Sequence, residues 1–375
     1  MSASAAPPPI ERSLAIAQAR RELIESDGPR PRAAARVDAG ITRSWQRCLE
    51  AGRRPQQRVS FEPVSRTASR DVTECNRALV TAARPVIERL SRAIADTRYF
   101  AILTDARGIV VDVGTLPDGT DPAARYARDI GRIGVDLSEG AIGTSAIGTA
   151  LAEQESVWLH RGEHFFDATS VYSCAGAPIW GPDGQCVGML DLTGVNVVEQ
   201  PALKHLVTQS ARSIENALAL ARPHRLLLSL NWPGQSLGGD SDGLVCVDAD
   251  GHITGLNRPA ADMLGIAPLG RAGHCTDVFA VPVESLFDAA RAQRSATEVP
   301  LWSGLRIHLH AQLNAGGERA PLHGSGAAVP LKDVETALIR KAVAEARGNV
   351  MEAARALGIS RATVYRKLMR RKSGD

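Results

Sequence analysis

The sequence predicts a multidomain α+β protein: two units built on antiparallel sheets, then an all-α segment at the carboxyl end. Three observations predict it. Between Val72 and Ala221 the pattern runs helix, strand, strand, helices, strand, hairpin, helix. A second hairpin pattern surrounds Asp248-Ala249-Asp250-Gly251 and is followed by a short helix and a one-sided strand. From Leu331 to Lys372 the only periodicity is helical. A chain of 375 residues has room for two or three domains.

Residues 1–60 read as an amino-terminal helical region. Met1 to Pro9 is Ala, Ser and Pro, a composition expected to be disordered. Glu11 to Glu25 is expected to be helical until Asp27-Gly28-Pro29, and Asp38 can cap a helix bearing Ile41, Trp45 and Leu49. Residues 61–222 form the first sheet unit with a leading helix. That helix is expected from Val72 to about Thr97, with Leu79, Ala83, Val86, Ile87, Leu90 and Ile94 on one side and a kink at Pro85. Strands Tyr99–Asp105 and Ile109–Val113 flank the turn Ala106-Arg107-Gly108. A Gly-rich helical stretch is expected from Glu139 to Glu153, and a strand at Val157-Trp158-Leu159. Tyr172–Trp180 and Gln185–Thr193 flank Gly181-Pro182-Asp183-Gly184, strong turn chemistry for a hairpin. A helix from Pro201 to Ala221 closes the unit.

The second unit, residues 238–313, opens with Gly243–Val247, the turn at Asp248–Gly251, and His252–Leu256. Asn257-Arg258-Pro259 starts a short helix ending at Gly265. Leu305, Ile307, Leu309 and Ala311 alternate with Arg306, His308, His310 and Gln312, the signature of a strand with one buried face. Residues 314–330, from Gly316-Gly317 to Pro330, read as a linker.

In residues 331–372, Leu331, Val334, Leu338, Ile339, Ala342, Val343 and Ala346 make one apolar stripe on a helix that Gly348 ends. Asn349 can cap a second, short helix with Ala353, Ala354 and Leu357 turned inward. Gly358 supplies a tight turn and Ser360 caps a third helix, where Val364 and Leu368 share a face. Arg361 to Lys372 carries six basic residues and no acidic one. A short helix, a glycine turn and a second helix with a basic polar face is the helix-turn-helix plan. The run from Gly358 to Leu368 resembles the DNA-binding domain of the Fis family. That resemblance implies that Arg361 reads a base edge, that Ser360, Thr363, Arg366 and Lys367 hold phosphates or neighbouring bases, and that Asn349 sits near the backbone. With Tyr365 and Arg370 these make the candidate DNA-binding set. It also implies a homodimer, in keeping with a segment too short to bury a core by itself.

The first 220 residues resemble the GAF-type sensory region of the acetoin catabolism regulator group, within the sigma-54-dependent (NtrC-class) activators. The residues that carry the likeness are Ser44-Trp45-Gln46-Arg47-Cys48, the run Glu139 to Ala150, Gly162 to Phe166, and the hairpin from Ala177 to Gly194. The likeness implies a pocket for a small-molecule effector with its mouth near Glu163–Phe166. Thr144, His164, Phe165, Phe166, Tyr172 and Cys174 are the candidate pocket residues. The unit from 238 to 313 looks like a PAS domain, on its hairpin and its Asn-Arg-Pro-Ala step. The fold class is therefore expected to be GAF-like and PAS-like sensor sheets followed by a Fis-type helix-turn-helix. Activators of this class carry an AAA+ ATPase between sensor and reader, and here that place holds only the linker. Of the lysines Lys204, Lys332, Lys341, Lys367 and Lys372, none follows a glycine, so no P-loop can be written on the chain.

The net charge of +3 confines any nucleic-acid footprint to a local patch. Charges interrupt every apolar stretch before membrane-spanning length, so no membrane partner and a cytoplasmic, nucleoid-associated protein are expected. The six cysteines show no zinc-ligand spacing, and His160 and His164, four apart, lack a third ligand nearby. No metal and no cofactor is expected, nor is catalysis. No His or Arg adjacent in sequence would activate Cys174 or Cys186. The expected partners are double-stranded DNA, an effector, a second copy, and either a full-length related activator or RNA polymerase. An architectural DNA-bending protein and a GAF-type redox enzyme are the competing classes.

Overall fold

The computed structural model describes residues 9–24, 37–61, 64–266, 273–293 and 295–314, with positions 350, 351 and 354. The chain divides into two compact units, Met1–Leu322 and His323–Asp375.

The first sheet is built from apolar runs buried on both faces. Its strands are β1 (Tyr99–Asp105), β2 (Val110–Val113), β3 (Val157–His160), β4 (Tyr172–Trp180) and β5 (Cys186–Val195). They pair antiparallel in the order β2-β1-β5-β4-β3. Side chains alternate across a strand, so each face needs its own cover. Helices α4 (Arg77–Ala93) and α8 (Ala202–Leu220) cover one face, over Ala101, Leu103, Ala175, Leu190 and Leu192. The opposite face, with Phe100, Ile102, Tyr172, Cys174 and Met189, packs under five shorter helices. These are α1 (Pro9–Ile24), α2 (Ala39–Glu50), α5 (Pro122–Ile130), α6 (Glu139–Ile142) and α7 (Ala146–Glu153). Ile16, Ile41 and Trp45 are buried in that core, so α1 and α2 are layers of the first sheet unit. Each such large side chain contributes roughly 1.5–3 kcal/mol by leaving water.

Two helices expected to be continuous are divided. The stretch from Val72 to Thr97 forms α3 (Arg66–Cys75) and α4, and the break falls at Asn76 rather than at Pro85, which stays inside α4. Asn76 ends α3 with its own side chain, whose Nδ2 donates to Val72 O at 2.9 Å. The Glu139–Glu153 stretch breaks at Gly143, which adopts φ +67°, and Ser145 restarts the helix by accepting from Gly148 N–H.

The second sheet comprises β6 (Leu226–Asn231), β7 (Gly243–Val247), β8 (Ile253–Leu256), β9 (Thr297–Pro300) and β10 (Arg306–Leu313), in the antiparallel order β8-β7-β6-β10-β9. Helices α9 (Arg258–Leu264) and α10 (Val283–Arg291) cover its apolar face through Ala260, Leu286 and Phe287. Asn257 caps α9, and Gly265 ends it at φ +66°. The central strand β6 precedes the expected start at residue 238. Its sequence Leu-Leu-Leu-Ser-Leu-Asn lacks the β-branched residues that mark strands and suits a helix equally well.

Candidate functional site

Alternation along β4 and β5 places Tyr172, Cys174, Asp191 and Thr193 on the face beneath the short helices, with Cys174 directly opposite Thr193. There the sheet and α5–α7 border a cavity of about 20 Å3, enough for one water molecule. Most of its wall is hydrocarbon: Ile102, Ile130, Leu137, Ile142, Ala146 and Ile147. One end is polar, formed by Ser145, His164, Thr169, Cys174, Asp191 and Thr193.

The hydrogen bonds at that end assign themselves. His164 Nδ1 lies 3.0 Å from Arg161 O, a carbonyl that can only accept, so Nδ1 carries the proton. Nε2 is then an acceptor facing Cys174 Sγ at 3.6 Å. Complete burial holds the His164 pKa down at about 4, so the ring is neutral. Thr193 Oγ1 sits 3.4 Å from the same sulfur and donates its hydroxyl to Asp191 Oδ2. The other oxygen, Asp191 Oδ1, is buried without a hydrogen-bond partner. Burial pushes the Asp191 carboxyl up to about 7, against the Thr193 hydrogen bond.

The sequence suggests no histidine beside Cys174, yet the fold supplies one. It does not activate the thiol. Burial first, and the Asp191 charge second, push the Cys174 pKa well above its ordinary value, and a neutral imidazole cannot offset them. Since the thiolate is the reactive form, this environment opposes thiol chemistry.

The segment carrying His164 is tied down by residues far earlier in the chain. Arg12 Nη2 lies 2.9 and 3.0 Å from the two Glu163 carboxylate oxygens. Arg20 donates to the carbonyls of Gly162, His164 and Phe165 and pairs with Asp167. The Trp45 indole donates to Glu163 O at 2.8 Å. Burial raises the Glu163 pKa to about 7, although Arg12 pulls the other way.

Of the candidate pocket residues, His164, Tyr172 and Cys174 line the cavity, while Thr144, Phe165 and Phe166 do not. Thr144 is buried with its hydroxyl 2.8 Å from Ser44 Oγ, which also lies 2.6 Å from Glu139 Oε2. Phe165 and Phe166 meet edge to face at 5.2 Å in the core, and Phe166 packs against Gly143, where a Cβ would stand 2.8 Å from its ring. Tyr172 donates its hydroxyl to Tyr126 O at 3.3 Å. The motif reading missed Ser145, Asp191 and Thr193; the available signal was a lone carboxylate in the apolar run Val187–Val195. His160 and His164 diverge, for His160 Nδ1 faces Ser173 Oγ at 2.7 Å. The candidate DNA-binding residues Asn349, Ser360, Arg361, Thr363, Tyr365, Arg366, Lys367 and Arg370 lie outside the described residues. No helix among the described residues is long and apolar enough to cross a membrane.

Comparison with known proteins places two families on the chain. The family described as MimR, N-terminal domain, matches residues 14–216, and that described as Bacterial regulatory protein, Fis family, matches residues 330–370. The chain is 32% identical over 265 residues to the acetoin catabolism regulatory protein of Cupriavidus necator, covering 67% of this chain and 38% of that protein. It is 29% identical over 214 residues to the propane 2-monooxygenase operon transcriptional activator MimR of Mycolicibacterium goodii, covering 56% and 34%. The chain thus spans about a third of the length of the curated relatives it matches. Among solved structures, the E. coli DhaR(N)–DhaL complex aligns at 15% identity and a TM-score of 0.44, covering 74% of this chain and 100% of that one.

Proposed function

The chain belongs to the MimR N-terminal domain family and is a transcriptional regulator with a Fis-type helix-turn-helix; from that premise we propose that its first sheet unit senses a small molecule and adjusts operator binding. The observation that carries this is the cavity with hydrocarbon walls and one polar end, the usual make-up of a small-ligand site. The protein acts as a homodimer and is not an enzyme. It does not itself drive sigma-54 polymerase with ATP, since a linker joins the second sheet unit to the reader and no lysine follows a glycine. It regulates by occupying a site, or by pairing with a full-length relative that carries the ATPase.

The effector class is suggested by the relatives, named for acetoin catabolism and for propane 2-monooxygenase expression. The test is binding of the purified chain to DNA selected from a random pool, with and without acetoin and other small alcohols and ketones. Saturating effector should shift operator affinity roughly 5- to 150-fold. An affinity indifferent to every compound would sink the sensory role. In the same assay Arg361→Ala should cost about 1–3 kcal/mol and relax one base step per half-site. Lys367→Ala should weaken all sequences alike and lower the salt slope by about one. An unchanged base preference in the Arg361 variant would remove that residue from the reader.

A further inference from the structure

Asp191 is fully shielded from solvent (0% exposed) on β5, the middle strand of the first sheet. Thr193 serves one carboxylate oxygen, and among the described residues no donor reaches the other. Among the described residues no charged partner acts on Asp191, whose only neighbour of note is the Thr193 hydroxyl. Native structures rarely leave a buried acceptor bare, because its lost hydration goes unreturned. Here the bare oxygen belongs to a residue that lines the cavity.

We propose that Asp191 sets the specificity of this cavity by accepting a hydrogen bond from the hydroxyl of a compact, neutral alcohol or hydroxyketone, whose carbon skeleton lies against Ile130, Leu137 and Ile142. This rests on the sensory role proposed above and names its ligand chemistry. One bare acceptor matches one donor. An ammonium brings three N–H donors, and the other polar groups at this end are already engaged. Ser145 Oγ accepts from Gly148, Thr169 donates to Phe166 O, and His164 Nε2 faces the Cys174 thiol. Above pH 7, where Asp191 is ionised, a carboxylate or phosphate ligand would set like charge against it, and a simple ketone offers it no donor.

A cavity of about 20 Å3 holds a water but not four carbons, so the wall must yield when the ligand enters. Thirteen of the fourteen lining residues are buried, and Phe61 alone is half-exposed.

The test uses the full chain and two probes, acetoin and butane-2,3-dione, which differ by one hydroxyl oxidised to a carbonyl. Calorimetric titration at pH 8, where Asp191 is ionised, should show wild-type protein binding acetoin at least tenfold more tightly than the dione, because a site that accepts from a ligand hydroxyl rejects the analogue that lacks it. Asp191→Asn should weaken acetoin binding about 10- to 100-fold and narrow the preference, since the new amide can donate to a ketone. Its unliganded melting temperature at pH 8, expected to equal or exceed that of wild type, verifies the fold. The wild-type preference is read without any variant. Equal binding of both probes by wild type, or undiminished acetoin binding by folded Asp191→Asn, overturns the role of Asp191 and leaves the sensory function standing. No binding of either probe, nor of any other small alcohol or ketone, overturns both.

Discussion

In the second sheet unit Asn257 uses every hydrogen-bonding position of its side chain, whereas in the first Asp191 leaves a carboxylate oxygen bare. Asn257 Oδ1 accepts from Leu244 N at 2.8 Å and Ala260 N at 3.0 Å, and Nδ2 donates to Asn216 Oδ1 at 2.7 Å and Asp242 O at 2.8 Å. Asp242 in turn takes Asn231 Nδ2 at 2.9 Å and the backbone N–H of Gly238 and Gly239. This network fixes β7, caps α9 and reaches α8 of the first unit through Asn216. Around it, Leu256 N donates to Pro182 O at 3.1 Å, Cys246 donates to Ala219 O, and Arg258 stacks over Trp180 at 4.6 Å. A saturated buried network holds geometry, and a bare buried acceptor holds a vacancy for a donor. The first describes a joint, and the second is where a ligand hydroxyl is proposed to bind.

The sharpest way to break this contrast is to substitute both residues. Asn257→Leu should destabilise the chain by about 2–4 kcal/mol, because it strands two backbone donors and removes the tie to Asn216. Urea unfolding followed by fluorescence measures it; a loss below about 1 kcal/mol would mean that the network is not structural.

Asp191→Asn should act in the opposite direction, stabilising by about 1–3 kcal/mol at pH 8. The native Asp191 pKa of about 7 lies above its unfolded value, so between the two the native state binds the extra proton. Wild-type stability should therefore fall as pH rises from about 4 to 7, and the asparagine variant should lose that component. Glu163 and Glu215, both raised to about 7 by burial, leave a residual slope of the same sign. Unfolding curves at pH 5 and pH 8 would show it. A variant less stable than wild type at pH 8 would place Asp191 with the structural residues instead.

The smallest effect belongs to His164. Its native pKa of about 4 lies below the unfolded value, so its contribution is present above pH 6.5 and is lost as pH falls through 4. His164→Gln should flatten this acid-side loss, by about 1 kcal/mol between pH 6.5 and 4.5. An identical acid profile in both proteins would mean that the ring is already charged in the fold.

Legibility followed the range of the interactions. The β4–β5 hairpin was readable because Gly181 to Gly184 carries its turn chemistry in four consecutive residues. The start and stop of α9 were readable because Asn257 and Gly265 act on their own neighbours. Half of the candidate pocket set reaches the cavity, since the motif Gly162–Phe166 marks the right segment but not which side chain turns inward. His164 turns toward the sheet while Phe165 and Phe166 meet edge to face in the core, in a segment that Arg20 and Trp45 hold by its backbone carbonyls and Arg12 by the Glu163 carboxylate. Strand β6 escaped notice because its leucines carry no period that separates strand from helix.

By itself the sequence determined the order of two sheet units and a Fis-family segment. Capping, turn and periodicity signals act over a few residues and survive without a fold around them. Thr193, two residues on along the same strand, meets one Asp191 oxygen by local alternation, whereas tertiary structure alone decided that the other would find no donor among the described residues. That outcome needs the pairing of β5 between β1 and β4, and the closure of α5–α7 over one face. The segment carrying His164 likewise depends on a helix whose Arg12 lies 151 residues from the Glu163 it grips. A carboxylate's partners are set by which elements pack against its strand, and no local pattern in the chain encodes that.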